Sequence, residues 1–349
     1  PTWTVVSHCS TACGTLCRTS ASTGTAAGSA TSVAVVLRAD PGSVAAEVAA
    51  QVASAAETIG FIVLSGHGIP RSLIEKAFEQ GFKFFDLPDE KKAEWHPFGP
   101  AKQRGYHGLA TRGLSATLGK DAPKDLRESL FLGPIDDHAA AFAHIPDAAT
   151  AYAPNILPDT PAGFDVTLVD LYRAFEILSA NLLRIFAVAA SMPEDHFTPM
   201  IQKHFSIMST HHYPALQKPP LPGQLRTGAH TDYGALTILA MTSANGGLEV
   251  QRDGGWMPVS PPEGALVVNL GDMMQRWTNS RWVSTMHRVM TPENLHDAMS
   301  RRISIGYFMH PDYDARIECL SSCKGDGAKF PPIPAGNHIR QKIDASHKQ

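Results

Sequence analysis

The segment GAHTDYGALTIL, residues 228–239, carries a histidine and an aspartate two positions apart, His230 and Asp232, at the head of a β-like run. Side chains at i and i+2 of a strand share a face, so this spacing lets both reach one ion. A further histidine, His287 in RWVSTMHRV, sits on a later β-like run after a turn. A neighbouring strand of the same barrel would return there to complete the pair. Two imidazoles and one carboxylate on one side of a metal form the facial arrangement of non-haem Fe(II) sites that activate dioxygen. Such a set leaves coordination positions open for a bidentate 2-oxo acid and O2, where a closed four-ligand zinc site leaves none. Downstream, in RRISIGYF, Arg302 and Ser304 share a strand face. A guanidinium beside a hydroxyl can grip a carboxylate through several hydrogen bonds, which is what the distal carboxylate of 2-oxoglutarate needs.

The elements that must position these residues divide at Pro193. Before it, helical patterns dominate. Residues 33–37 read as a short strand, and Asp40-Pro41 as a helix start followed by Val44, Val48 and Val52 at steps of four. GFIVLSGHGIP, residues 60–70, reads as a buried strand ending in a turn. Leu73, Ala77, Phe78, Phe82 and Phe85 mark a second helix, and Pro88 opens a short third one. From Thr160-Pro161 a long helix is expected. Its Phe164, Leu168, Leu171, Phe175, Leu178, Leu182, Ile185 and Ala189 form one buried stripe opposite Asp165, Asp170, Arg173 and Glu176. After Pro193, short β-runs are expected at 205–213, 236–241, 248–251, 256–259, 265–270, 282–289 and 303–309. Asp253-Gly254-Gly255 and Thr278-Asn279-Ser280 mark hairpin turns between them. Helices first and strands later predict an α+β fold with a double-stranded β-helix, or jelly-roll, core, flanking N-terminal helices and one long helix.

Composition narrows the function classes. The chain has 349 residues, a formal charge of -3, 43% hydrophobic and 18% charged residues. That is enough apolar content for a substantial core and too little positive charge for a nucleic-acid partner. The most apolar stretch, 178–190, is broken by Asn181 and Arg184, so no membrane span is expected and the chain should be soluble. Cys9, Cys13, Cys17, Cys319 and Cys323 contain no CxxC pair. His8 beside the first group does not make a zinc knuckle, and the odd count suits a reducing, cytoplasmic setting. Residues 1–31 are rich in Ser, Thr, Ala and Gly and lack acidic residues. They read as a low-complexity tail, disordered or a leader, although Arg18 as their one basic residue argues against an organellar signal.

From about Val33 onward the chain resembles the 2-oxoglutarate/Fe(II)-dependent dioxygenase superfamily, in its isopenicillin N synthase-like branch. HTDYGALTIL, NLGDMMQRWTNSRWVSTMHRV and RRISIGYF carry the likeness in the second half, and GFIVLSGHGIP, FFDLPDEKK and RGYHGL in the first. The resemblance implies one oxygenase domain over 32–349, with an N-terminal region at 32–150 and a jelly-roll core at 203–312. It implies Fe(II) on His230, Asp232 and His287, and 2-oxoglutarate on Arg302, Ser304 and Tyr213 of HHYP. O2 is the co-reactant and ascorbate a helper. A small molecule would be hydroxylated, desaturated or cyclised, with succinate and CO2 as co-products. His211 stands where several plant relatives carry asparagine and is counted among the expected substrate residues. Arg104, Tyr106 and Phe308 are expected either to line the substrate pocket or to brace the loop over the barrel mouth. The long interval from His287 to Arg302 is expected to form a hairpin loop around 294–299. Three other readings stay open: an oxidase of this fold that uses no 2-oxoglutarate, a zinc hydrolase in which Arg302 and Ser304 have no role, and a non-catalytic ligand-binding barrel. His204, His212, His296 and His310 are rival ligands, but none forms an HxD pair. Trp256 and Trp277 read as packing residues.

Because residues 1–31 carry no motif and no core periodicity, their deletion is expected to leave folding and iron binding unchanged. A shortened chain that aggregates, or that no longer takes up iron, would contradict this reading of the tail.

Overall fold

The structure, a computed structural model, describes residues 34–36, 46–111, 113–114, 123–216, 218–242, 247–291 and 300–347. The 1–31 tail with its three cysteines, the helix start at Asp40-Pro41, His296 and the 294–299 loop lie outside them. The first half runs β1 (Ala34–Val36), α1 (Ala46–Thr58), β2 (Phe61–Ser65), α2 (Arg71–Phe85), α3 (Asp89–Lys92), β3 (Gly105–His107), β4 (Glu128–Leu132) and α4 (Phe164–Ala189). The second half begins with β5 (Ile207–Tyr213), β6 (Thr227–His230), β7 (Leu236–Met241), β8 (Leu248–Arg252), β9 (Gly255–Pro258) and β10 (Leu266–Leu270). It ends with α5 (Asp272–Trp277), β11 (His287–Val289), β12 (Arg302–Met309), β13 (Arg316–Ile317), β14 (Ile333–Pro334) and α6 (Ala335–His347).

Two sheets make the jelly roll. The larger has the order β1-β2-β10-β7-β12-β5-β4-β3, and the smaller β6-β11-β8-β9. Neighbours pair antiparallel except β1 with β2. Alternation along each strand of the larger sheet sorts its side chains. Leu236, Ile238, Leu266, Val268, Ile303, Ile305 and Tyr307 belong to one cluster with the buried faces of α1, α2 and α4. Their strand neighbours Phe61, Val267, Leu239 and Met241 face the other way and pack with Leu248, Val250 and Met257 of the smaller sheet. Between the sheets, then, lies a second interior.

All eight stripe positions of α4 are buried, and the helix packs on α1, α2, β7 and β12. Its length makes the 3.6-residue period readable, which is why sequence alone locates it. The Asp253-Gly254 turn is also as expected: both residues have positive φ, 51° and 79°, and Arg252 pairs with Gly255 across it. That is the backbone of a two-residue turn matching strand twist.

Three expectations need correction. The run at 282–289 is strand only from His287, and Trp282 is instead a fully buried residue edge-on to Phe186. The Thr278-Asn279-Ser280 turn joins no pair of strands. It ends α5, a helix the sequence reading lacked, and Asn279 and Ser280 take positive φ there while the Asn279 amide donates to Cys323 O and Gly327 O. β3 and β4 were not expected either, and they extend the larger sheet on the β5 side. Trp277 is buried, and half-buried Trp256 packs under Arg288. Among the described residues no helix is long and apolar enough to cross a membrane.

Phe175 of α4, fully buried against Tyr307, tests the outer core. Phe175→Ala is expected to cost about 3–5 kcal/mol, read as a lowered midpoint in chemical denaturation. A loss under about 1 kcal/mol would mean that the stripe does not carry the packing assigned to it.

Candidate metal centre

His230 ends β6, and its cross-strand partner is His287, the first residue of β11. Residues directly opposite in an antiparallel pair project to the same side, and the two imidazole centres lie 4.2 Å apart. Asp232 is not on the strand. It sits in the loop just beyond β6, so a shared strand face does not explain its position, contrary to the sequence reading. Other contacts hold it there. Asp272 N donates to its backbone carbonyl at 2.8 Å, and its Oδ2 accepts from Thr237 Oγ1 at 2.6 Å and Asn269 Nδ2 at 2.7 Å. Its other oxygen lies 3.6 Å from His230 Nε2 and 3.8 Å from His287 Nε2.

Each imidazole is oriented from behind. His230 Nδ1 donates to Gly228 O at 2.8 Å and His287 Nδ1 to Thr285 O at 3.1 Å. A carbonyl can only accept, so Nδ1 carries a proton in each ring and Nε2 is the nitrogen turned toward Asp232. The three donor atoms lie within 4.8 Å of one another, and all three residues are buried. Burial, then the neighbouring His287, keep His230 well below the ordinary histidine range. For Asp232 burial pushes upward, but the two imidazoles with Thr237 and Asn269 outweigh it, and the net direction is down. Two imidazoles and one carboxylate fit an octahedral divalent cation with open positions. Gly271 lets the β10–α5 turn close over this loop: a Cβ there would stand 2.2 Å from Gly234 O. From the C-terminal side, α6 fastens the same loop through His338 Nε2 to Tyr233 O, at 3.2 Å, and the adjoining start of α5 through Lys342 Nζ to Asp272, at 2.5 Å.

Arg302 and Ser304 face Tyr213 and His211 across the β12–β5 pair, on the side of the sheet turned toward β6. The Tyr213 hydroxyl lies 3.5 Å from Ser304 Oγ and 3.2 Å from Thr227 Oγ1 of β6. The Arg302 guanidinium, 3% exposed, lies 5.2 Å from the Tyr213 ring centre. Phe308 lies on this same face of β12. So does His211, which is hydrogen-bonded all round. Arg127 Nη1 and Ser209 Oγ donate to its Nε2 at 3.0 and 2.8 Å, so its proton must be on Nδ1, pointing to Ser129 Oγ at 2.7 Å.

Arg104 and Tyr106 do not join this interior. Tyr106 pairs with Leu130, on the helical side of the sheet, and its hydroxyl donates to Glu128 at 2.5 Å. Arg104 is fully buried, donating to Ala151 O at 2.6 Å with Gly133 flat against its guanidinium. Both therefore brace the chain. His204 pairs with Glu176, and His212 with Glu128 on the helical side, so neither is turned toward the three converging donor atoms. Buried His310 lies behind Gly234. The sequence reading missed Thr237, Asn269, Arg127 and Ser129. The first two had a signal, since they are the polar positions of the apolar runs LTILAM and LVVNL, and the strand register sets them opposite each other.

Residues 204–311 match the model of the 2OG-Fe(II) oxygenase superfamily, and residues 34–160 that of the non-haem dioxygenase in morphine synthesis N-terminal family. The chain is 34% identical over 278 residues to proline hydroxylase buaE of Petromyces alliaceus, covering 77% of this chain and 83% of that one. It is 31% identical to validamycin A dioxygenase of Streptomyces hygroscopicus subsp. limoneus, covering 85% and 80%. A full-length Neurospora crassa protein, solved in complex with alpha-KG and thymine, superposes with a TM-score of 0.75 at 30% identity, covering 86% of this chain and 92% of that one.

Asp232→Ala and His287→Ala are each expected to abolish tight Mn(II) or anaerobic Fe(II) binding in calorimetry while the folded spectrum persists. Asp232→Glu should fail as well, because the added methylene misplaces the carboxylate. Asn269→Leu keeps all three donors and is expected to weaken the metal by about 10–100-fold. Unchanged affinity in Asp232→Ala would remove that residue from the ligand set.

Proposed function

Because the chain belongs to the 2OG-Fe(II) oxygenase superfamily, we propose that His230, Asp232 and His287 hold its iron and that Arg302, Ser304 and Tyr213 receive its 2-oxoglutarate. The protein is a 2-oxoglutarate-dependent dioxygenase acting on a small molecule. The observation that carries the site assignment is the convergence of three donor atoms within 4.8 Å of one another on the rim of one interior. The Arg302–Ser304–Tyr213 group belongs to the wall of that interior. With Fe(II) and 2-oxoglutarate bound, oxygen is consumed, the oxo acid leaves as succinate and CO2, and a substrate C–H bond is oxidised.

The chain's own contribution is orientation and dryness. Carbonyls behind His230 and His287 fix which nitrogen faces the metal, and Thr237 with Asn269 leave Asp232 one free oxygen to offer. Phe61, Val250 and Val267 line the adjoining space and exclude water from it. The guanidinium of Arg302 and the hydroxyls of Ser304 and Tyr213 form a polar end suited to a carboxylate. On this reading His211 and Phe308 line the substrate space together with Arg127 and Ser129, hydroxylation is the default outcome, and ascorbate assists by keeping iron reduced. The formal charge of -3 gives no basic face for nucleic acid, and the odd number of cysteines suits a reducing, cytoplasmic setting.

Breaking a buried charge pair at Arg302 is expected to cost about 3–5 kcal/mol. Arg302→Leu should therefore weaken 2-oxoglutarate by roughly two to three orders of magnitude, with iron content unchanged. Arg302→Lys should fall between, keeping the charge but losing the two-pronged geometry. Ser304→Ala should lose less. The measurement is a 2-oxoglutarate titration of Fe(II)-loaded protein, read as succinate formed. An Arg302→Leu variant that binds and consumes 2-oxoglutarate like the parent would refute the cosubstrate assignment.

A further inference from the structure

A second arginine meets the same tyrosine. Arg226 directly precedes β6 and is fully buried. Its Nη2 reaches Pro214 O at 3.3 Å, while Nε and Nη1 are buried with no hydrogen-bond partner among the described residues. Its guanidinium carbon lies 5.8 Å from the centre of the Tyr213 ring, and that of Arg302 lies 5.2 Å from it. Two cations thus converge on one aromatic ring whose hydroxyl contacts Ser304 and Thr227. No carboxylate of the described residues forms an ion pair with Arg226. Burial, then the like charge of Arg302, bring Arg226 down to about 10, which still leaves it protonated near neutrality.

Such an arrangement is costly as a purely structural device. A buried guanidinium normally has its N–H groups satisfied, and a second cation nearby adds repulsion. An anion reaching both would relieve both costs, and the carboxylate expected at Arg302 has two oxygens to share. We propose that Arg226 is a second cationic reader of the cosubstrate's distal carboxylate, making the site selective for a dicarboxylic 2-oxo acid. This rests on the Arg302–Ser304–Tyr213 reading above and extends it. Arg302 grips the carboxylate from β12, Arg226 approaches from the β6 side, and Tyr213 separates and orients the two guanidiniums.

The test uses full-length protein loaded with Mn(II), so that binding is measured without turnover. Two acids are titrated by calorimetry: 2-oxoglutarate, and 2-oxopentanoate, which has the same carbon chain but no distal carboxylate. Arg226→Met is expected to weaken 2-oxoglutarate by about 10–100-fold, the equivalent of one charge-assisted hydrogen bond, while leaving 2-oxopentanoate unchanged. Arg226→Lys should recover part of the loss. Without ligand, Arg226→Met should melt no lower than the parent, because the costly charge is gone. Equal weakening of both acids together with a lowered melting temperature would show a packing role and overturn the proposal. So would unchanged 2-oxoglutarate affinity. If Arg226→Met does not fold, the ratio of the two acids in Arg226→Lys decides, and an unaltered ratio overturns the proposal. Arg302→Leu, run in parallel, separates the two levels. If it loses 2-oxoglutarate while Arg226→Met keeps it, only the Arg226 assignment falls; if neither variant loses it, the distal-carboxylate reading falls as well.

Discussion

The register between β6 and β11 is the constraint on which the centre depends. His230 and His287 are direct cross-strand partners, and a slip of one residue would turn one imidazole to the far side of its strand. The pairing shifts register immediately beyond, between His287 and Val289, so the histidine pair sits at the edge of a local irregularity. Bulges of this kind re-aim side chains beside functional sites. What keeps the register is the wider sheet: β11 also pairs with β8 through His287↔Val250, and Arg288 meets Glu249 at 2.8 Å on the opposite face.

Face alternation lets one sheet serve two purposes. Arg301 and Arg302 are neighbours in sequence and point to opposite sides of β12. Arg302 joins the interior polar group, whereas Arg301 donates to His212 Nε2 at 2.8 Å and pairs with Asp86 on the helical side. His212 passes the chain on to Glu128 at 2.7 Å, which also takes Lys92 and the Tyr106 hydroxyl. Burial alone would raise the pKa of Glu128, but His212, Lys92 and Tyr106 outweigh it and hold it ionised. Polar or charged groups are thus buried on both sides of the β4–β5–β12 patch, so the strands that carry the polar end of the interior are fixed from behind as well as from within.

Much of the fold is legible in the sequence. HxD and Arg-x-Ser are short local patterns, of which only Arg-x-Ser follows the strand period of two, and α4 repeats its period often enough to be unmistakable. The failures have a common physical origin. Asp232 leaves the strand, and spacing alone cannot tell a residue on a strand from one just past its end. α5 spans only Asp272–Trp277, too short to display a helical period. Tyr106 lies on a three-residue strand, whose facing is decided by its partner β4 rather than by its own sequence. β4 itself, ESLFL, opens with the buried carboxylate of Glu128, which masks a strand from hydropathy. Arg226 and Arg127 carry no motif, and only the tertiary fold shows what they meet.

The clasp made by α6 bears on how such a centre comes into being on the ribosome. His230, Asp232 and His287 all emerge well before His338 and Lys342, the residues that fasten Tyr233 and Asp272. A nascent chain therefore exposes every donor atom while the loop bearing Asp232 still lacks its outer brace. That outer brace forms only once α6 has left the exit tunnel and docked. The order of translation thus places the bracing of the Asp232 loop by α6 after the synthesis of all three donor residues.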